Sequence, residues 1–272
     1  MKEATHQVAT IVWRGDFSSR HRIVAEETPI ALSYNRLTHA VMMASPSDLK
    51  DFAVGFSRSE GIIAAAADIE ELEIIEAEAG VECRMWISPA LLDRLDQRRR
   101  SLAGPTGCGL CGLESLAEAV RRPPSVSAGI SVCAADIQSA MKGMPAMQTL
   151  NAETRAVHAA GFWRNGSLVA LREDVGRHNA LDKLSGALAR DSYDGSTGMV
   201  VMTSRISLEL VQKAAVLGTT ILVAVSAPTR RALDIAEAAG MTLVGIARGD
   251  GFEVFTHPQR IIGAANSPMW TD

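Results

Sequence analysis

Beyond Met199 the chain alternates short runs that are apolar at every position with amphipathic runs of helical length. A strand covers Met199 to Thr203, and a helix carrying Leu208, Val211 and Ala215 ends at Gly218. A second strand covers Thr220 to Val225, and a helix from about Arg230 to Ala239 ends at Gly240. A third strand covers Thr242 to Ala247, and a last one, Phe252 to Phe255, follows a tight turn. Strands that are apolar on both faces and separated by helices imply a parallel sheet covered by helices on each side. Ahead of this series, Ala159 to Trp163 and Leu168 to Leu171 form a hairpin closed by Asn165-Gly166, a strong short turn signal. A helix from about His178 to Arg190 follows, and Ile137, Ala140, Met141 and Met144 mark another before the hairpin.

The first part of the chain has different periodicities and reads as α+β. Ala25 to Ala44 holds short alternating runs around Tyr34-Asn35, a hairpin. Ser45-Pro46-Ser47-Asp48 has the hydroxyl caps and first-turn acid of a helix start. Leu49, Phe52, Ala53 and Phe56 then follow at i, i+3, i+4 and i+7, and Gly61 ends the helix. Leu72 and Ile74, then Val81, Cys83, Met85 and Ile87, alternate about a turn at Ala79-Gly80. Met1 to Thr10 is polar and lacks the apolar core of a signal peptide, and the longest clean apolar run is strand-sized. A net charge of −4 and 4% aromatic residues give neither a basic field nor a stacking surface for nucleic acid. The expectation is a soluble, cytoplasmic protein with neither membrane nor nucleic acid as partner.

Gln97 to Pro124 breaks every pattern. It holds Arg98-Arg99-Arg100, glycines at 104, 107, 109 and 112, Cys108 and Cys111, then Arg121-Arg122-Pro123-Pro124. It reads as a mobile loop with a short helix from Leu113 to Val120, and it places a domain boundary near 125, giving regions 1–125 and 126–272. A thiolate is the reactive form of Cys, and flanking arginines favour it. Glycines let another molecule approach closely. Without an export signal a close Cys pair reads as catalytic or metal-binding. Half of a zinc site and a persulfide carrier fit these residues equally, and a thioredoxin-like redox pair fits less well in mid-chain. Cys83 alternates with Val81 and Met85 as a core residue does, and Cys133 has no ligand neighbour.

In open parallel sheets, ligands bind beyond the carboxyl ends of the strands. Three strands here end in Ser204-Arg205, Ser226-Ala227-Pro228-Thr229 and Arg248-Gly249-Asp250-Gly251. The topology puts these loops on one edge, and two of them open into helices whose N-termini favour anions. Arg205 and Arg248 add forked donors suited to phosphate, and Asp250 can accept from a base or ribose. No Walker loop and no GxGxxG occurs. Arg172-Glu173-Asp174-Val175-Gly176-Arg177-His178-Asn179 is either a solvated helix entry or a polar cluster lining the same pocket, with His178 as proton carrier. A zinc deaminase needs H-x-E before P-C-x-x-C; here His158 is followed by Ala160 and the Cys pair comes first.

Taken together, these segments resemble the FdhD family of formate dehydrogenase accessory sulfurtransferases. The resemblance rests on Ser45 to Phe56, Ser59 to Ile63, Gly107 to Gly112 (GCGLCG) and Glu173 to Lys183 (EDVGRHNALDK). It continues through Thr203-Ser204-Arg205, Ser226 to Thr229 and Leu243 to Arg248, nearly the whole chain. It implies a sulfurtransferase that takes sulfur from a cysteine desulfurase as a persulfide and passes it to the molybdenum bis-guanine-dinucleotide cofactor for formate dehydrogenase. Cys108 would carry the persulfide and Cys111 would assist or resolve. The cofactor segment would fall on Ile246, Ala247, Arg248, Gly249, Asp250 and Gly251, beside Arg205 and Ser226. It also implies an α/β fold, with a cytidine-deaminase-like three-layer α/β/α C-terminal domain, a smaller α+β N-terminal domain, and a homodimer. The alternative is a non-catalytic, zinc-stabilised cofactor chaperone. One departure is visible: Thr154 is followed by Arg155-Ala156 where family members have Gly-Gly.

Overall fold

The computed structural model describes residues 2–103, 122–126, 129–249 and 251–264, with backbone alone over 98–103. Cys108, Cys111, the helix expected from Leu113 to Val120, and Asp250 lie outside the described residues.

The chain opens with a hairpin that its polar composition did not announce, β1 (Thr5–Trp13) against β2 (Phe17–Ala25), paired with nothing else. β3 (Thr28–Tyr34) and β4 (Leu37–Ala44) form the expected second hairpin, and Asn35 and Arg36 both take the positive φ of a tight primed turn. Helix α1 (Leu49–Ser59) follows, then β5 (Ile69–Ala77) and β6 (Gly80–Ile87). Sheet order is β4-β3-β6-β5. The alternation in β3 and β6 turns Ile30, Leu32, Tyr34, Cys83 and Met85 onto Phe52, Ala53 and Phe56 of α1, and these close one core. The start of α1 differs from expectation. Asp48 is left-handed and makes no side-chain cap, and Ser45 bonds to a distant strand instead. Helix α2 (Pro89–Ala103) also runs past Gln97, so the arginine run continues a helix where a loop was expected.

The C-terminal half contains α3 (Ala134–Met147), α4 (Thr149–Thr154), β7 (His158–Arg164), β8 (Ser167–Asp174) and α5 (Arg177–Arg190). Then come β9 (Met199–Met202), α6 (Leu208–Leu217), β10 (Ile221–Ala224), α7 (Arg230–Ala239), β11 (Thr242–Arg248) and β12 (Gly251–Val254). The sheet order is β12-β11-β10-β9-β7-β8. Only β9, β10 and β11 run parallel. β7 joins β9 antiparallel and β12 joins β11 antiparallel, so the sheet is mixed rather than wholly parallel. One face packs on α5, α6 and α7 through Leu181, Leu184, Leu210, Val211 and Ala236. The other packs on α3 through Ile137, Ala140 and Met144. This is the expected three-layer α/β/α arrangement. Gly218 and Gly240 end α6 and α7 with positive φ, as their positions predict.

Helices α1 and α5 touch backbone to backbone. A Cβ on Gly55 would overlap the Asp182 carbonyl, and one on Gly186 would overlap that of Asp51. Three buried carboxylates pin this contact. Asp51 binds Arg172 at 2.8 Å and also Arg190. Asp182 takes Lys213 at 2.8 Å and the Ser59 hydroxyl at 2.6 Å. Asp174 meets Lys183 at 2.6 Å, both side chains fully buried. Asp174 also accepts from the backbone N–H groups of Ser45 and Gly176 and from Asn179 Nδ2, and Lys183 donates to the Ser45 carbonyl at 2.9 Å. The Asp51 ion pairs cross from the first half of the chain to the second, whereas Asp182–Lys213 and Asp174–Lys183 lie within the second half and reach the first through hydrogen bonds to Ser59 and Ser45. The Asp174–Lys183 pair, fully buried, has the surrounding hydrogen bonds that a buried pair requires. Arg155, at the departure from Gly-Gly, has φ 58°, the left-handed conformation that a glycine adopts without strain.

Candidate functional site

The carboxyl ends of β9, β10 and β11 do converge. Ile206 N–H bonds the Ala227 carbonyl at 3.4 Å, and Thr229 N–H returns to the Ile206 carbonyl at 3.0 Å. Arg248 Nε donates to the Val225 carbonyl at 2.7 Å. Thr229 caps α7 by accepting from Ala232 N–H. Residues 203–207, 225–229 and 246–249 are thus one stitched surface. Arg205 and Arg248 are both exposed on it. With Nε tied to a carbonyl, Arg248 keeps its two terminal nitrogens for a ligand, and among the described residues nothing else engages them. Ser226 is half-buried beside them.

Backbone conformation sets the last loop. Ile246 and Gly249 have φ of 51° and 57°. A β-branched residue in this region is costly, by roughly 1–2 kcal/mol, so the surrounding loops must over-determine it. The turn it makes sends Ala247 inward, where its side chain is buried against the α3 layer. Of the expected cofactor segment, Ala247 can reach a ligand only through its backbone, whereas Arg248 and Gly249 face outward.

The histidines join the same edge. β7 runs antiparallel to β9, so its first residue, His158, lies at the carboxyl end of the parallel strands, opposite Asp174. His178 sits in the first turn of α5, with Nε2 2.8 Å from Glu209 Oε2 and 3.3 Å from Ser207 Oγ. Ser207 stands at the N-cap of α6 but caps nothing with its side chain. Neither Ser207 nor Glu209 was singled out by sequence reasoning, because a Ser before a helix reads as a cap and nothing local shows that it faces another helix. Burial lowers both His158 and His178 below the usual imidazole value, and the nearby Arg177 guanidinium lowers them further. Glu209 opposes the shift at His178 and Asp174 opposes it at His158. His178 is therefore neutral near pH 7, with Nε2–H donating to Glu209 and Nδ1 left as the acceptor.

A pH dependence follows with a definite sign. A histidine whose folded value is depressed binds fewer protons folded than unfolded, so stability is full above about pH 6.5 and falls as acid drives protonation. The thermal midpoint should drop between pH 7.5 and 5.5, and less steeply in His178→Asn. Equal slopes in a pH series of melting curves would remove His178 from this account.

The motif Glu173 to Lys183 divides cleanly. Glu173 accepts from the N–H groups of Leu150 and Asn151 at 2.8 Å, Asp174 and Lys183 pair, and Asp182 binds Lys213. Arg177 and His178 are left at the loop edge. Among the described residues no cluster of three or more His, Cys, Asp or Glu could hold a metal ion. Burial pushes the Cys83 thiol up to about 12, so it is a core group, as its alternation predicts. A separate cavity of about 650 Å³ has Arg58, Arg94 and Arg122 in its wall and adjoins the residues that follow the Cys108–Cys111 segment. No helix among the described residues is long and apolar enough to cross a membrane.

Residues 25–262 match the family model described as the FdhD/NarQ family. The chain is 52% identical over 256 residues to a sulfur carrier protein FdhD of Agrobacterium fabrum, covering 93% of this chain and 94% of that one. It is 49% identical over 249 residues to a sulfur carrier protein FdhD of Cupriavidus necator, covering 91% and 86%. A crystal structure described as that of a formate dehydrogenase accessory protein from Desulfotalea psychrophila superposes with a TM-score of 0.75 at 27% identity, over 95% of this chain and 100% of that chain.

Proposed function

The chain belongs to the FdhD/NarQ family, and from that premise we propose that it is a sulfurtransferase serving formate dehydrogenase. Cys108 takes the outer sulfur of a cysteine desulfurase persulfide, and the donor returns to a thiol. Cys111 thiolate then attacks Cys108 Sγ, a disulfide forms, and hydrosulfide leaves with both electrons of the broken S–S bond. The acceptor would be the molybdenum of the bis-guanine-dinucleotide cofactor, bound as substrate, and two equivalents of a cellular thiol would reduce the Cys108–Cys111 disulfide back to two thiols and leave as their own disulfide.

The observation that carries this reading is the stitched edge at the ends of β9, β10 and β11, whose loops carry two exposed arginines beside helix N-termini. A phosphorylated nucleotide is the ligand such an edge suits. Arg205 and Arg248 would hold phosphate, and the exposed backbone at Gly249 lets the base approach. Neutral His178 would take up or return a proton through Nδ1. Sulfur carrier relatives at about half identity supply the chemistry that such a ligand would undergo.

Titration calorimetry with GMP tests the edge. A hydrogen bond to a charged group contributes about 1.5–3 kcal/mol, so Arg248→Ala should raise Kd by about one to two powers of ten, and Arg205→Ala should do likewise. A Kd unchanged in both variants would refute the assignment of the nucleotide to this edge.

A further inference from the structure

Arg58 stands in the last turn of α1, where the carbonyl end of a helix favours a cation. Its guanidinium is half-buried, and among the described residues its one hydrogen bond runs from Nη1 to the Ser185 carbonyl at 3.4 Å. The carboxylates of the α1–α5 contact are committed elsewhere, Asp51 to Arg172 and Arg190, Asp182 to Lys213 and Ser59. Burial lowers Arg58 below the usual guanidinium value. A charge drawn out of water without a counter-charge is costly, so a half-buried guanidinium in a cavity wall favours an anion.

The chain builds that cavity locally. Gly61, with φ 68°, turns the backbone at the end of α1, and the N–H groups of Ile62 and Ile63 return to the Ser57 carbonyl at 2.8 and 3.3 Å. Asp68 Oδ2 accepts from the N–H groups of Ala64 and Ala65 at 2.8 and 3.0 Å, which fixes the loop. Leu91 and Arg94 share one face of α2, and Gln212 and Val216 share one face of α6. Both faces, the loop and Arg122 to Pro124 line the cavity of about 650 Å³. That volume suits a small organic ligand. Arg58, Arg94 and Arg122 stand in its wall against one carboxylate, Asp68, a net charge of two positive. Ile62, Ile63, Leu91 and Val216 give the same wall an apolar part.

The cavity is separate from the nucleotide edge. Gln212 and Val216 follow Ser207 by five and nine residues along α6. At 1.5 Å per residue they stand about 8 and 13 Å beyond it. Among the described residues, none of the loops 203–207, 225–229 and 246–249 lines the cavity.

We propose that this cavity is a second ligand site, for a small organic dianion. Arginine forks match the paired oxygens of a carboxylate and of a phosphate alike. The ligand therefore carries either two carboxylates or one phosphate monoester, on a short apolar body that meets Ile62, Leu91 and Val216. The inference does not depend on the nucleotide or sulfur-carrier readings.

Titration calorimetry on the full-length chain tests it with three probes: glutarate, phenyl phosphate and the neutral glutaramide. At least one of the two dianions should bind one to one at millimolar Kd or tighter, and glutaramide should not. Whichever dianion binds identifies the source of the charge. Arg94 and Arg122 are exposed, so Arg94→Gln and Arg122→Gln should fold as wild type does, which circular dichroism checks. Each should raise Kd by about tenfold, the loss of a hydrogen bond to a charged group. Val216→Glu, which adds a negative charge from α6, should weaken binding as much without touching an arginine. Arg248→Ala should leave it unchanged, and GMP should not compete. Failure of both dianions to bind overturns the proposal, as does a Kd that none of the three cavity variants changes. Binding that Arg248→Ala abolishes and GMP displaces places the anion on the loop edge and overturns the second site.

Discussion

Incubated with a cysteine desulfurase and cysteine, the wild-type chain should gain about 32 Da, the mass of one sulfur atom held as a persulfide, and the Cys108→Ala variant should gain nothing. Formate dehydrogenase activity in a host carrying only that variant should fall to background, with the melting temperature unchanged. The other cysteines give internal controls. Cys83 is buried in the first core with its thiol pushed up to about 12, so at neutral pH it has almost no thiolate to attack a persulfide. Cys133 is half-buried at the start of α3. Cys83→Ala and Cys133→Ala should both keep the added sulfur. Cys111→Ala should still load but should release no hydrosulfide, because no second thiolate is present to form the disulfide. Sulfur taken up equally by the Cys108 variant would end the proposal. Stoichiometric zinc in place of any sulfur, lost with stability in either Cys variant, would instead make the chain a zinc-stabilised cofactor chaperone.

What the sequence disclosed about this site, and what it hid, follows from the range of the interactions. Strand ends, helix ends and turn types are local: Asn165-Gly166, Gly218 and Gly240 read correctly because each needs only its own φ. The meeting of Arg205, Ser226 and Arg248 on one edge was also legible, since parallel strands joined by helices leave their carboxyl ends together. Pairings between separate elements were not. Ser45 looks like a cap, yet its N–H and hydroxyl serve Asp174 and Val175. Ser207 looks like a cap, yet its hydroxyl meets His178. The β1–β2 hairpin escaped notice for a different reason. Its alternation puts apolar residues on a face that the single chain does not bury, so the usual link between periodicity and core is absent.

The largest expected loss of stability comes from Lys183. Lys183→Met keeps the length of the side chain but removes the ammonium from Asp174 and from the carbonyls of Ser45 and Glu173. Asp174 would remain fully buried as an unpaired carboxylate, and breaking a buried pair on one side costs about 3–5 kcal/mol. Urea denaturation at pH 7 should show a loss of that size, and a loss below about 1 kcal/mol would contradict this role for the pair. A second readout separates charge from packing. Adding Asp174→Asn to Lys183→Met removes the unpaired buried carboxylate, so the double variant should regain part of the lost stability at pH 7, whereas a simple packing defect would not be relieved. The consequence reaches the candidate site, because Asp174 also holds Gly176 and Asn179, the residues on either side of Arg177 and His178. If the pair aims these two at the loop edge, Lys183→Met should weaken GMP binding even where the chain remains folded.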